Sequence, residues 1–400
     1  MIQTVVSNAS APEYGQATIS FPIREEDYPS VVNMLQRMGL GDPLERDCRV
    51  DEVCGNWPIL KRLEKVAINL DEMDYLAKRL DSFDAQEKAK FQAAAVRFGL
   101  FDMRHLIDLT FCCQETTVIT DFSDLEKVGR RHYLDVNGSS APSEELENVD
   151  GYETALLLIG DGDGTITPYG VIYDNGMQLR PVYDGQNFPL YQHQDAVLVL
   201  GLTHESDLDM NSATTWLFLP ARAERLERAL KRGGFEPGSS IHCTCVGGNI
   251  QEELEARLNF ERESLKDLNT FASAIASIDE AQHAKFKAVI QMANPQSATE
   301  MTALAQNLDL FDFVPGVHSP REYGEFMIRE SGHFDLDDDL APFIDYKAYG
   351  QKQIDAEGGV FNDQGYVAYK GPQSLSELMM RPPAEQRYAG PEMQMGGFSR

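Results

Sequence analysis

A fixed internal offset of 195 residues constrains this chain more than any other feature of its sequence. Asp84-Ala85-Gln86-Glu87-Lys88-Ala89-Lys90-Phe91-Gln92-Ala93 aligns with Asp279-Glu280-Ala281-Gln282-His283-Ala284-Lys285-Phe286-Lys287-Ala288. The same offset pairs Leu35 with Leu230, Arg37 with Arg232, Gly39 with Gly234, Cys48 with Cys243 and Arg62-Leu63 with Arg257-Leu258. It also pairs Leu70 with Leu265, Ala77 with Ala272, Leu109 with Leu304 and Gly129 with Gly324. One offset fits almost without gaps from about residue 35 to 134, whereas chance matches would need a new offset for each block. The expectation is a tandem duplication, and an α+β chain of several domains rather than one large core.

Each copy has the same grammar. A short strand comes first, over 17–23 and 214–220, followed by an amphipathic helix. Val31, Val32, Leu35 and Met38 mark the apolar positions of the first such helix, and Leu226, Ala229 and Leu230 those of the second. Gly39 and Gly234 stand where a helix C-cap belongs. A second strand is expected over 48–53 and 241–246. Helices come next, with one face marked by Leu70, Met73, Leu76, Ala77 and Leu80, or by Leu265, Leu268, Phe271, Ala272 and Ile275. The module is a small α/β part plus a helical bundle, and the two copies make an elongated chain. Its first copy spans 1–135 and is partial; the second spans 210–334. Between them lie a polar, acidic linker (136–151) and a β-rich insert (152–209). In that insert Asp174-Asn175-Gly176 signals a hairpin between 171–173 and 177–179. An acidic segment (335–370) lies after the second copy. Residues 371–400, rich in Gly, Pro and Met without an apolar period, read as a disordered tail.

Asp and Glu number 64 against 35 Lys and Arg, a net charge of −29. That balance argues against direct binding of nucleic acid or an anionic membrane, both of which need positive charge, and favours basic partners. No run approaches 18 apolar residues and the first residues carry no basic, apolar leader pattern, so a cytoplasmic location is expected. None of the six cysteines forms a CxxC pair, which suits reduced thiols better than a zinc ribbon.

Motifs that carry chemistry are scarce. Asp161-Gly-Asp163-Gly164-Thr-Ile166 imitates the middle of a calcium loop, but Ile159 and Gly170 occupy the first and last ligand positions, so a turn is the better reading. The eight histidines form no HExxH and no pair at zinc spacing, and GxSxG, P-loop and strand-following GxGxxG patterns are missing. No enzyme, no metal and no cofactor is expected.

The acidity itself clusters. Glu144, Glu145, Glu147, Asp150, Glu153, Asp161 and Asp163 lie in a stretch without Lys or Arg. Asp335, Asp337, Asp338, Asp339, Asp345, Asp355 and Glu357 form a second group, with Lys347 and Lys352 among them, and Asp42, Glu45, Asp47, Asp51 and Glu52 a weaker third. B-DNA carries one charge per roughly 1.7 Å of axis, so an excess of 29 carboxylates on one face would match a duplex of about 50 Å. Such a face offers a basic groove the charges of a phosphate backbone without base readout.

The second copy, together with the acidic segment after it, resembles the ArdA antirestriction proteins of conjugative plasmids and transposons. The resemblance lies in Thr214 through Phe235, Ser264-Leu-Lys-Asp-Leu-Asn269, Phe286-Lys-Ala288, Val314-Pro-Gly-Val-His-Ser-Pro320 and Glu322-Tyr-Gly324. Its most specific part is Phe343-Ile-Asp345-Tyr346-Lys-Ala-Tyr-Gly350, followed by Gly358-Gly359-Val-Phe361 and Gly365-Tyr366-Val367. The first copy resembles the earlier two-thirds of that pattern, through Phe21-Pro22, the helix to Gly39, Leu40-Gly-Asp-Pro43 and the helices from Leu70 to Phe91. The resemblance implies a DNA mimic that occupies the groove of type I restriction–modification enzymes, with Asp335, Asp337, Asp338, Asp339, Asp345, Asp355, Glu357, Glu144, Glu145, Glu147 and Asp150 as the partner-binding groups. It leaves a homodimer open. The alternative is an adaptor that binds another host-defence or mobile-element protein through the insert.

Overall fold

Period-two burial sets the first sheet. Ile2, Thr4 and Val6 are buried on one strand, Ile2–Asn8, and Ala17, Ile19 and Phe21 on its neighbour, Gln16–Phe21. The strand Cys48–Gly55 pairs on the other side of Ile2–Asn8, with a register shift between Val5 and Val6, and carries Ala67–Ile68 at its outer edge. That shift lets Val50 and Val53, three apart, both face inward. The second half of the chain repeats the arrangement: Leu198–His204 lies between Thr215–Leu219 and Ile241–Gly247, again antiparallel and with an irregularity near the end of the third strand.

The computed structural model describes residues 1–138, 140–191, 196–204, 214–236, 239–331 and 343–380. They divide between two compact units, Met1–Tyr191 with Glu224–Gly234, and Gln192–Ala223 with Phe235–Arg400. The architecture is mixed helix and strand in small antiparallel sheets, an α+β fold. No helix among the described residues is long and apolar enough to cross a membrane.

Helices form where caps and stripes coincide. Tyr28–Arg37 and Ala223–Arg232 each end before a glycine in the left-handed region, Gly39 at φ 66° and Gly234 at φ 75°. Asn69 caps Leu70–Asp81 through the amides of Asp71 and Glu72, and Ser264 caps Leu265–Ala276 through that of Asp267. Ala85–Phe98 opens on a capping box between Asp84 and Glu87, and the related helix His283–Ala293 comes after a 3-10 turn. Met103–Leu109 and Ala298–Ala305 come next. Leu35, Leu60, Leu76, Phe91 and Ile107 anchor the core of the first unit; Leu268, Phe271, Val289 and Leu304 are fully buried in the second.

Beyond residue 134 the elements keep the offset of 195. The helix Gly151–Asp161 starts where Tyr346–Glu357 does, the strand Thr165–Thr167 where Val360–Asn362 does, and Gly170–Tyr173 where Gly365–Tyr369 does. In each half the last strand is central, flanked by its hairpin partner and by an earlier strand, Thr117–Ile119 or Phe311–Pro315. In each half two helices cross against one another, Leu125–Val136 with Gly151–Asp161, and Pro320–Arg329 with Tyr346–Glu357. The crossing needs a glycine: a Cβ on Gly129 would run into the carbonyl of Gly151, and one on Gly324 into that of Tyr346.

Several expectations change. The apolar run Ala155–Ile159, placed in a β-rich insert, is helical, because Asp150 caps it and Ala155 and Leu158 pack inward. The residues of that insert divide between two sheets, 165–173 joining Thr117–Ile119 and 198–204 joining the sheet of the second unit. The polar linker contains the helix Ser143–Asn148 and the end of Leu125–Val136. Asn175 and Gly176 both take positive φ, as the turn requires, but no strand comes directly after them. Residues 371–380 of the expected tail include the helix Leu375–Met380, held by buried Leu378 against Ala298–Ala305; residues 381–400 lie outside the described residues.

Candidate partner-binding acidic surface

Charge in the first unit separates into buried carboxylates that are neutralised within the fold and exposed ones that are not. Asp71, Glu72 and Asp74 lie on the buried face of Leu70–Asp81. The helix Ala223–Arg232 meets them with a stripe of arginines. Arg228 Nε donates to Asp71 Oδ1 and Oδ2 at 3.0 and 3.1 Å, and its Nη2 to Oδ2 at 2.9 Å. Arg225 Nη1 donates to Asp74 Oδ2 at 2.9 Å, and its guanidinium stacks 3.9 Å over the Tyr28 ring. Arg232 donates to the carbonyl of Pro43, to Asn69 Oδ1 and to the Tyr183 hydroxyl, which itself donates to Glu72 Oε1 at 3.0 Å. Burial alone would raise the Asp74 carboxyl, but Lys78 and Arg225 beside it hold it below its ordinary value. Asp42, from the third acidic cluster, is likewise held low, first by its 2.8 Å bond from Lys231. Asp71 and Asp74 are paired with buried arginines, Glu72 is held by Tyr183, and Asp42 is paired with the exposed Lys231, so these carboxylates offer little charge to an outside groove.

The cluster at 144–150 is different. Glu144, Glu145 and Glu147 sit exposed on Ser143–Asn148, and none has an ion pair with Lys or Arg among the described residues. Asp150 is exposed but also caps the next helix through the Glu153 amide at 2.9 Å. Glu153 and Asp163 are exposed nearby. The Gly162 and Gly164 of the calcium-like motif press against the Tyr173 ring, where a Cβ would not fit, which accounts for the motif's glycines without a ligand.

In the second unit Asp345 repeats the capping role of Asp150, accepting from the Ala348 amide at 3.0 Å. Asp355 is exposed and accepts from Gln351. Glu357 is half-buried, and one of its oxygens, Oε2, takes the hydroxyls of Tyr323 and Tyr366 at 2.7 and 2.9 Å. Glu357 thereby ties the helix pair to the sheet. Asp335, Asp337, Asp338 and Asp339 lie outside the described residues. By the offset of 195, Glu144 corresponds to Asp339 and Asp150 to Asp345, so each acidic cluster precedes the second helix of its crossing pair.

A cleft of about 890 Å³ in the second unit is lined by His242, Cys245, Glu255, Arg257 and Glu263, among others. No group of three or more His, Cys, Asp or Glu among the described residues is arranged to hold a metal ion. The internal arginine stripe is the functional feature hardest to anticipate; its signal is the spacing Arg222, Arg225, Arg228 and Arg232, which puts four cations near one helix face.

Residues 211–368 match the family described as Antirestriction protein (ArdA). No curated protein matches the chain. That span carries an ArdA-type antirestriction domain.

Proposed function

We propose that this chain, whose residues 211–368 form an ArdA-type antirestriction domain, inhibits type I restriction–modification enzymes by occupying their DNA-binding groove as a DNA mimic. The observation that carries this reading is the exposed carboxylates Glu144, Glu145 and Glu147, which have no ion pair with Lys or Arg among the described residues, on a chain of net charge −29. Carboxylates held on a folded scaffold replace phosphates in a basic groove and release the same counterions. Asp335, Asp337, Asp338, Asp339, Asp345 and Asp355 serve as the corresponding groups in the second unit. No catalytic step is required of the chain, and the cytoplasm is where its target acts.

The same reading takes the chain as a tandem duplication whose first copy continues through residue 173. The element order, the shared offset and the glycines at both helix crossings support it. The test is competition. A type I restriction enzyme is held with labelled target DNA and the full chain is titrated in at low and high salt. Displacement that fades at the higher salt is expected. No displacement at micromolar protein overturns the reading.

A further inference from the structure

The helix Gly151–Asp161 is apolar on both sides but is covered on one. Gly151, Ala155 and Leu158 face inward, against Leu125–Val136 and the sheet. Outward stand Tyr152 (55% exposed), Leu156 (47%), Leu157 (58%) and Ile159 (38%). A helix apolar all round is normally buried all round. The edge strand beside it adds Ile166, 85% exposed. Ile166 is paired with Val171, and Val171 packs with Leu158, so Ile166 is on the helix-bearing face of the sheet.

The fold does not require these side chains. At the corresponding positions the second half has Lys347, Gln351 and Lys352 on the outside of Tyr346–Glu357. There Ile354 and Phe361, the counterparts of Ile159 and Ile166, pack against the core of Tyr323 and Tyr366. The same framework therefore presents charge in one half and a contiguous apolar surface in the other, and such surfaces on soluble proteins mark interaction sites.

We propose that the outward face of Gly151–Asp161, with Ile166, docks a protein partner that presents apolar side chains ringed by Lys and Arg. The surroundings choose that occupant. From residue 132 to 179 the chain has no Lys or Arg, and Glu144, Glu145, Glu147, Asp150, Glu153 and Asp163 stand exposed before, on and after the helix. The packed helix Leu125–Val136 adds exposed Lys127 and Arg130, the latter paired with Glu126, so carboxylates outnumber cations beside this face. A second copy of the chain would bring these carboxylates against their own kind. Nucleic acid is repelled by the same charges, and a groove made only for phosphates would gain nothing from five exposed apolar side chains. The contact differs from charge mimicry because its apolar centre keeps its strength in salt.

The test uses the full chain and two fluorescent helical peptides of about 14 residues, one of Leu and Lys and one with Ser in place of every Leu. Binding is read by anisotropy at about 0.1 and about 0.5 M NaCl. The Leu/Lys peptide is expected to bind at least ~10-fold tighter than the Ser/Lys peptide and to lose no more than ~3-fold at the higher salt. The charge-neutral triple variant Tyr152→Gln, Leu156→Gln, Leu157→Gln is expected to lose about tenfold or more for the Leu/Lys peptide. It should fold, because the second half carries polar residues at those positions; circular dichroism checks this. Equal binding of the two peptides, or unchanged binding by the folded variant, overturns the proposal. A wild-type dimer in sedimentation that the variant converts to monomer also overturns it, because the face would then belong to a second copy. DNA displacement from the type I enzyme, run on the same variant, is expected to stay unchanged, so failure here is distinguishable from failure of the mimic reading.

Discussion

The helices Tyr28–Arg37 and Ala223–Arg232 occupy the same place in the two halves, after the edge strand of the first sheet and before its third strand, yet they face different surroundings. The first turns Ser30, Asn33 and Arg37 to solvent. The second uses the corresponding positions, Arg225, Arg228 and Arg232, to reach Asp74, Asp71 and Asn69 inside the first unit. Apolar packing keeps the shared framework, while the polar positions between the apolar ones are free to become surface or interior. The crossing helices at the other end repeat the lesson, with identical glycine contacts inside and opposite chemistry outside.

The contrast breaks most sharply at Arg228. Truncating one member of a buried ion pair leaves the other uncompensated, so Arg228→Ala should destabilise the first unit by ~3–5 kcal/mol. Asn33→Ala, at the exposed counterpart, should change it by no more than about 0.5 kcal/mol. Urea unfolding of both variants compares them directly, and equal effects would mean that the two helices are not in different surroundings. Next come the glycines of the two crossings. On an open helix face Gly→Ala would stabilise, but here the added Cβ meets backbone, so Gly129→Ala and Gly324→Ala should each cost ~1–3 kcal/mol. A thermal scan in which one of them stabilises its unit would show that the two crossings are not alike.

The smallest effect is one of pH. Asp74, in the first unit, has its pKa lowered by Lys78 and Arg225 against the effect of burial. Its contribution is present above the unfolded-state value and is lost as pH falls through the folded one. Glu263, in the second, is raised by burial, although the Ala298 amide partly offsets this. Its contribution is present below the unfolded-state value and is lost as pH rises through the folded one. Glu263→Gln should therefore raise the melting temperature at pH 7 and leave it nearly unchanged near pH 4, a gain of about 1 kcal/mol or less. A gain confined to acid pH would reverse the assigned sign.

Much of this is legible in the sequence, and the losses have physical causes. The strands ending at Phe21 and Leu219, the stripe Leu70–Leu80 and the glycines at 39 and 234 announce themselves, because alternation, helical period and positive φ each leave a residue signature. The central strand Ile2–Asn8 is not among the expected strands, because an alternation of only Ile2, Thr4 and Val6 before Ser7 and Asn8 is too short to stand out. The sequence match at the offset of 195 fades after residue 134, where the likeness is one of geometry: Asp150 and Asp345 as caps, Gly164 and Gly359 against tyrosine rings, Gly170 and Gly365 against the carbonyls of Ile119 and Val314. A run of five apolar residues without a polar period hides the helix at 151–161, whose outer face lacks the usual polar half. At the acidic surface, composition locates the charge but not which carboxylates are engaged internally. The internal engagement of Glu357 is hidden for that reason, since its tyrosine partners lie 34 and 9 residues away.

The central claim is that exposed carboxylates here stand in for phosphates. The most direct test is the salt dependence of inhibition of a type I restriction enzyme by three proteins. These are the native chain, the variant Glu144→Gln, Glu145→Gln, Glu147→Gln, and the variant Asp337→Asn, Asp338→Asn, Asp339→Asn. The account predicts a steep loss of inhibition with salt for the native chain, and a weaker, shallower dependence for each variant while both stay folded. Inhibition that ignores salt, or that is the same for all three proteins, would contradict it.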